Sequence, residues 1–278
     1  MRMSELDITP DELMVCCMAR QIQDGEIVVQ GLATPMAAAA YLLARATHAP
    51  NIYFGSAIGQ SVCREPAPLG LTRVESLWLD RAMMSVGFVS VATDLLPNLH
   101  PKEFFRPGQV DINGNFNNLA FGSDFAKPRL RLPGSGGIPD VTLVSDKVYL
   151  YVPRHSRVTF VTQLDFCSGL GHNPARTHGA GPQYLITDLG QFDFAGGRLR
   201  LTSLHPGVSL ERVKARTGFD FEVAAELGET SLPDPEVLRL LREEIDPLGI
   251  RRLEALSGGA RRELLEQIIA EEAVESRL

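Results

Sequence analysis

The stretch Arg131-Leu132-Pro133-Gly134-Ser135-Gly136-Gly137 has the residue types needed to hold negative charge. Four small residues after a proline can turn several backbone N–H groups toward one concavity, suited to an anion or a developing oxyanion, and Arg131 stands beside them as a fixed cation. A plain glycine turn is the other reading of the same residues. It is not a P-loop, because no Lys-Ser or Lys-Thr follows, and Gly134, Gly136 and Gly137 do not match the dinucleotide pattern G-x-G-x-x-G. A second candidate runs from Asn51 to Gln60, where the apolar strand Ile52-Tyr53-Phe54 enters the small residues Gly55-Ser56-Ala57 and ends at Gly59. Small residues beyond the carboxyl end of a strand in an open α/β sheet let a ligand approach the backbone. Ser56 has no neighbouring His or Asp to act as its base and the nearest carboxylate, Glu65, is nine residues on, so this turn is built to hold a ligand and not to react with it.

A third set, Asp165-Phe166-Cys167-Ser168-Gly169-Leu170-Gly171-His172, brings nucleophile types and a His together. A His four or five residues along a glycine loop has no defined geometry toward Cys167 or Ser168, and a shaped, partly buried loop is the better reading. His178 and His205 share no i, i+4 spacing with another ligand type, so no metal is expected. The cysteines Cys16, Cys17, Cys63 and Cys167 show neither C-x-x-C pairs nor zinc spacing and read as small buried hydrophobes.

The elements that must position these groups alternate. Thr9-Pro10-Asp11-Glu12 is a helix start, with Thr9 as cap and Glu12 completing a capping box, and the helix is expected to run to about Asp24. Glu26–Gln30 reads as a strand, Thr34-Pro35 opens a second helix through Ala46, and the strand at Ile52 follows. This alternation implies crossover units and an open, mostly parallel α/β sheet with helices on both faces. Residues 77–84 are helical in pattern and Phe88–Ala92 strand-like. From Arg106 to Gly137 glycines and the run Asn113-Gly114-Asn115-Phe116-Asn117-Asn118 punctuate short apolar pieces, a loop region on a scaffold. Strands follow at Val148–Val152, Val158–Val161, Tyr184–Thr187 and Leu199–Leu204, with Gly196-Gly197 as a hairpin turn. Ser209 caps a helix that Gly218 stops. The tail from Pro235 repeats Leu, Ile and Val at helical spacing, giving a pair of surface helices. No linker composition divides the chain, so residues 1–278 read as one domain with a helical extension over 235–278.

A chain of 278 residues with 44% hydrophobic content can bury a real core. Its net charge of -7 and scattered Lys and Arg exclude a nucleic-acid surface. Nothing in it approaches the ~18 apolar residues of a membrane span or the core of a signal peptide, so a cytoplasmic protein without a membrane partner is expected.

Assembled, these residues resemble the β subunit of the class I coenzyme A transferase family, in its glutaconate CoA-transferase branch. The resemblance covers Glu12 to Glu254. It rests on the opening helix, strand and helix, the strand-turn Ile52 to Gly59, Asp111-Ile112-Asn113-Gly114-Asn115-Phe116-Asn117, Arg131 to Gly137, Asp165-Phe166, Thr187-Asp188-Leu189-Gly190, Leu204-His205-Pro206-Gly207 and Glu243 to Leu253. It implies two subunits of similar open α/β fold with the active site between them, an α2β2 heterotetramer, and coenzyme A entering as the substrate thioester with no resident cofactor. Transferases of the family carry a catalytic Glu at the start of the small-residue turn. The resemblance puts Gly55 there, and a glycine can form neither an acyl anhydride nor an enzyme–CoA thioester. This combination is similar to the transferase-like hydrolases that open the last ring of a cholesterol-derived CoA thioester, in which the α subunit supplies the catalytic acid or base. Arg131, Gly134, Ser135, Gly136 and Gly137 are then expected to bind substrate, with Gly55, Ser56, Ala57 and Gly59 leaving room for a bulky acyl group. The alternatives are a true CoA-transferase using Glu65 or Glu75, and a non-catalytic ligand-binding subunit.

Overall fold

The computed structural model describes residues 7–31, 34–56, 60–72, 78–174 and 176–275. Contacts gather in two compact units, Met1–Gly87 with Leu232–Leu278, and Phe88–Ser231.

In the first unit, helix α1 (Pro10–Arg20) starts at the expected capping box: the Thr9 N–H donates to Glu12 Oε2 at 2.9 Å. It ends at Arg20, short of Asp24. Strand β1 (Ile27–Gln30), helix α2 (Pro35–Thr47) and strand β2 (Tyr53–Ser56) form a parallel crossover, to which β3 (Ser61–Cys63) and β4 (Met84–Ser85) add antiparallel. The buried run Ala37–Ala40 has no bulk to hold neighbours away, and α2 packs against α1. Val28 and Phe54 fill the sheet face, with the Phe54 ring 5.8 Å from that of Trp78. Where 77–84 was expected to be one helix, the described residues hold a single turn at 78–80 and then the strand at Met84.

The tail returns to this unit. A helix over Pro235–Arg239 widens into a π turn at Leu240–Ile245, a 3-10 turn follows at Ile250–Glu254, and a long helix occupies Gly258–Glu275. Asp246-Pro247 and Gly249, the latter at φ 68°, break what the periodicity read as two simple helices. Leu238, Leu241, Ile250, Leu253, Leu264 and Ile268 are buried. Arg251 anchors the tail: its guanidinium, 5% exposed, meets Asp246 at 2.8 Å, Asp11 at 2.9 Å and Glu12 at 3.1 Å. The contact to Asp11 is at ion-pair distance without the alignment of a hydrogen bond. Glu254 reaches further and accepts the Met36 N–H at the start of α2, at 2.8 Å.

The second unit opens with a helical run over 88–99, carrying a π turn at Val91–Leu95, where a strand was expected at Phe88. Phe88 and Val89 are 57% and 73% exposed, so their β-favouring side chains have no sheet to pack on. Strands β5 (Lys102–Phe105), β6 (Gln109–Val110), β7 (Phe116–Asn117), β8 (Ala120–Phe121), β9 (Leu130–Arg131), β10 (Val148–Val152), β11 (Pro182–Thr187), β12 (Gly190–Ala195), β13 (Arg198–Leu204) and β14 (Glu222–Glu229) follow. Six form the unit's sheet in the order β5-β10-β11-β12-β13-β14. The pairs β5·β10, β10·β11 and β13·β14 are parallel; β11·β12 and β12·β13 are hairpins. Gly196 and Gly197 make the expected turn, at φ 60° and 76°. Val158–Val161 is not a strand, because Thr159 and Phe160 both donate back to the Ser156 carbonyl and only Phe160 bridges, to Val110. The sheet is open and never closes into a barrel, the class expected, with parallel pairs on either side of the two antiparallel hairpins. No helix of the described residues is long and apolar enough to cross a membrane.

Candidate functional site

In the first unit the carboxyl ends of β1 and β2 lie side by side, with Gln30 opposite Ser56. Gly55 is not in a turn, as the sequence reading had it, but inside β2, paired with Val29 on one side and Val62 on the other. Its missing Cβ would stand 3.0 Å from Val29 Cγ2, so the neighbouring strand fills the space a side chain would need. Ser56 is 5% exposed and closes the strand. Ala57 and Gly59 lie outside the described residues, as does Glu75. Glu65, the other carboxylate of the transferase reading, receives both bonds from Arg45 Nη2 at 2.9 Å and is 72% exposed in its side chain. A solvated carboxylate in an ion pair is a weak nucleophile.

In the second unit, β9 delivers Arg131 at the end of a small hairpin. The Arg131 Nη2 donates to the Phe125 carbonyl at 2.9 Å and the guanidinium lies 4.4 Å from the centre of the Phe125 ring, whose edge meets Phe166. Arg131 is therefore held in a fixed pose while exposed. The Gly134 N–H is already given to the Asn118 carbonyl at 2.9 Å, and its φ of 111° is reserved for glycine. The amides of Ser135, Gly136 and Gly137 have no partner among the described residues, and nothing comes within 4 Å of where a Gly136 Cβ would be. Three N–H groups, one fewer than the four small residues promised, are thus open beside the helix Ile138–Val144, which Gly137 starts at φ 75°.

The loop from Asp165 to His172 is a brace. Ser168 Oγ accepts from the Asn118 N–H at 2.8 Å and lies 3.2 Å from the Phe116 carbonyl, while His172 Nε2 meets the Pro182 carbonyl at 2.7 Å. Neither side chain faces the other. Gly169 and Gly171 are required by contact, since a Cβ would stand 2.1 Å from the Phe116 ring and 2.3 Å from the Asn113 carbonyl. Cys16, Cys17 and Cys63 are buried as expected, but Cys167 is exposed. The polar run at 111–118 is equally structural: Asp111 Oδ1 accepts from the Asn113 and Asn115 N–H groups, and Asn117, fully buried, donates to Gln109 and Ala120.

Two buried histidines complete the unit's polar interior. His205 lies between Thr230 and the Thr187 carbonyl. His155, which no spacing rule singled out, sits between Thr187 and Thr217 and stacks on Phe160 at 3.8 Å. Burial pulls His155 down to about 3 and His205 to about 4, so both are neutral pillars.

A model of the family described as coenzyme A transferase matches residues 12–216. The chain is 32% identical over 257 residues to a subunit of the 3-oxoadipate CoA-transferase of Pseudomonas knackmussii, covering 84% of this chain and 91% of that one. It is 31% identical over 244 residues to the cholesterol ring-cleaving hydrolase IpdB subunit of Mycobacterium tuberculosis, covering 84% and 92%. Among solved structures it resembles the decarboxylase AibA/AibB at TM-score 0.76 and 34% identity, over 88% of this chain and 98% of that one, and Rhodococcus jostii RHA1 IpdAB at 0.76 and 26%, over 90% and 100%. With the match spanning most of both units, the chain belongs to the coenzyme A transferase family.

Proposed function

We propose that this chain is the β-type subunit of a heteromeric hydrolase that opens a ring of a steroid-derived acyl-CoA, with the catalytic base on an α-type partner in an α2β2 assembly. The observation that supports the reading is Gly55, pressed against Val29, at the position to which the sequence resemblance assigns the transferases' glutamate. The chain then has no group there to form the covalent intermediate of CoA transfer. Hydrolysis needs none: water adds to a ring carbonyl beside the scissile bond, that bond breaks toward an enolate, the enolate takes a proton, and the water oxygen ends in a carboxylate. Arg131 and the free amides of Ser135, Gly136 and Gly137 are suited to the anionic groups this creates or begins with. Coenzyme A enters as the substrate thioester, and no resident cofactor takes part. The likeness to proteins named as a hydrolase and a decarboxylase supports chemistry other than transfer on this scaffold.

A true CoA-transferase is the second reading, favoured by the 32% identity to a 3-oxoadipate CoA-transferase subunit. Treating the complex, purified with its native partner, with an acyl-CoA and measuring the intact mass of this chain separates the two. Unmodified chain and incorporation of one oxygen from labelled water into product are expected. A CoA adduct on this chain would falsify the hydrolase reading.

A further inference from the structure

The registers of the first unit align polar residues in one rung across its strands. Gln30 on β1 is opposite Ser56 on β2, and Ser56 is opposite Ser61 on β3. Directly opposed residues share a face of a sheet. One step back on that same face the rung is Val28, Phe54 and Cys63, all buried and apolar. The face therefore changes from apolar to polar at the carboxyl ends of the parallel pair β1·β2, where open α/β sheets take their ligands.

The polar rung is sealed: Gln30, Ser56 and Ser61 are 6%, 5% and 4% exposed. Buried polar atoms are paired with few exceptions. Gln30 Oε1 is such an exception, with no hydrogen-bond partner among the described residues. Thr34 Oγ1, at the N-cap position of α2, is another. An acceptor left open in a polar, nearly closed site calls for a donor from outside the chain. A ligand group reaching it must be a terminus. Of the two ends of an acyl-CoA, the nucleotide carries phosphates that a rung without a cation cannot balance, which leaves the acyl end.

We infer that Gln30 is a substrate-positioning residue whose Oε1 accepts a hydrogen bond from a hydroxyl on the acyl portion of a CoA thioester. The inference rests on the CoA-thioester reading above and adds to it a substrate class, hydroxylated acyl groups.

Calorimetric titration of the native complex with 3-hydroxybutyryl-CoA and with butyryl-CoA, each against wild type and Gln30→Leu, tests it alongside the melting temperature of each ligand-free complex. Removing an unpaired buried amide should leave the melting temperature equal or higher, weaken 3-hydroxybutyryl-CoA by ~10-fold, the loss expected for one buried hydrogen bond, and leave butyryl-CoA unchanged. Gln30→Met, closer in length, serves where the leucine variant does not assemble. A lower melting temperature with both affinities unchanged assigns Gln30 to the fold and overturns the inference. Equal weakening of both ligands overturns it too, because the contact is then to the coenzyme. Wild-type binding untouched in both variants, or a wild-type complex that binds neither thioester, overturns the inference alone, since four-carbon acyl groups do not test the steroid reading, which the adduct and labelled-water measurements decide.

Discussion

Gly55 stands opposite Val29 so closely that a Cβ on it would lie 3.0 Å from Val29 Cγ2. Gly55 is absent from the glycines with left-handed φ, so the constraint is space and not backbone conformation. Overpacking of this kind costs about 1 to 3 kcal/mol. Gly55→Ala should therefore lower the melting temperature, and Gly55→Ala combined with Val29→Ala should recover part of it. Gly55→Glu adds a charge to a buried strand and should both destabilise the complex and fail to create a CoA adduct. Independent, additive effects of the alanine changes at positions 29 and 55 would mean that the two residues do not compete for this space.

Much of this arrangement was readable from residue types, and where it was not the reason is physical. Thr9, Pro10 and Glu12 act locally, so the start of α1 followed from the sequence. Gly196-Gly197 likewise needs only its own dihedral angles. Phe88 and Val89 favour strands intrinsically but are helical and exposed, since no neighbouring strand receives them. β14, with the sequence EVAAELGE, went unrecognised because its Ala, Glu and Leu content reads as helix while pairing with β13 decides the outcome. The open amides at 135–137 could be anticipated from small residues after a proline, whereas the loss of the Gly134 amide to Asn118 depends on a hairpin partner no spacing reveals. The rung of Gln30, Ser56 and Ser61 exists only through register, and its members are remote in the sequence.

Arg131 is fixed by one hydrogen bond and one ring face, both from Phe125. If it meets a substrate anion, Arg131→Ala should lower kcat/KM by ~10- to 1000-fold, the range for a lost charge-assisted contact. Arg131→Lys should recover little, because an ammonium cannot stack on Phe125 and present a planar fork together. Wild-type kcat/KM in a folded Arg131→Ala complex would leave Arg131 as a strut for the hairpin.

Arg251 holds three carboxylates, those of Asp11, Glu12 and Asp246, in a site where its own side chain is 5% exposed. Removing the cation strands buried charge, a loss of about 3 to 5 kcal/mol when one partner of such a set is taken away. Arg251→Met should sharply lower the denaturation midpoint and expose the tail from Asp246 onward to proteolysis. Replacing Asp11, Glu12 and Asp246 by Asn, Gln and Asn together with Arg251→Met should recover much of the stability, since no buried charge is left unpaired and Arg242, which loses its Glu12 partner, is 42% exposed in its side chain. A single Arg251→Met variant as stable as wild type would rule out this network as the tail's anchor.

Glu103 sits on β5 opposite Val148 and is 7% exposed, and its carboxylate has no hydrogen-bond or ion-pair partner among the described residues. Burial pushes its pKa up to about 8, from an ordinary value of 4.5. Between those two values the folded chain holds a proton at Glu103 that the unfolded chain has released, so stability falls as pH rises through this window. His155 works in the other direction: burial lowers it from 6.5 to about 3, and its contribution is present above 6.5 and lost as pH falls below it. Glu103→Gln keeps the shape of the side chain and removes the titration. Its melting temperature should match wild type near pH 5 and exceed it progressively toward pH 8, with the acid limb set by the histidines unchanged. Parallel curves for the two proteins across that range would show that Glu103 is ionised in the folded chain, and that a counter-charge compensates it.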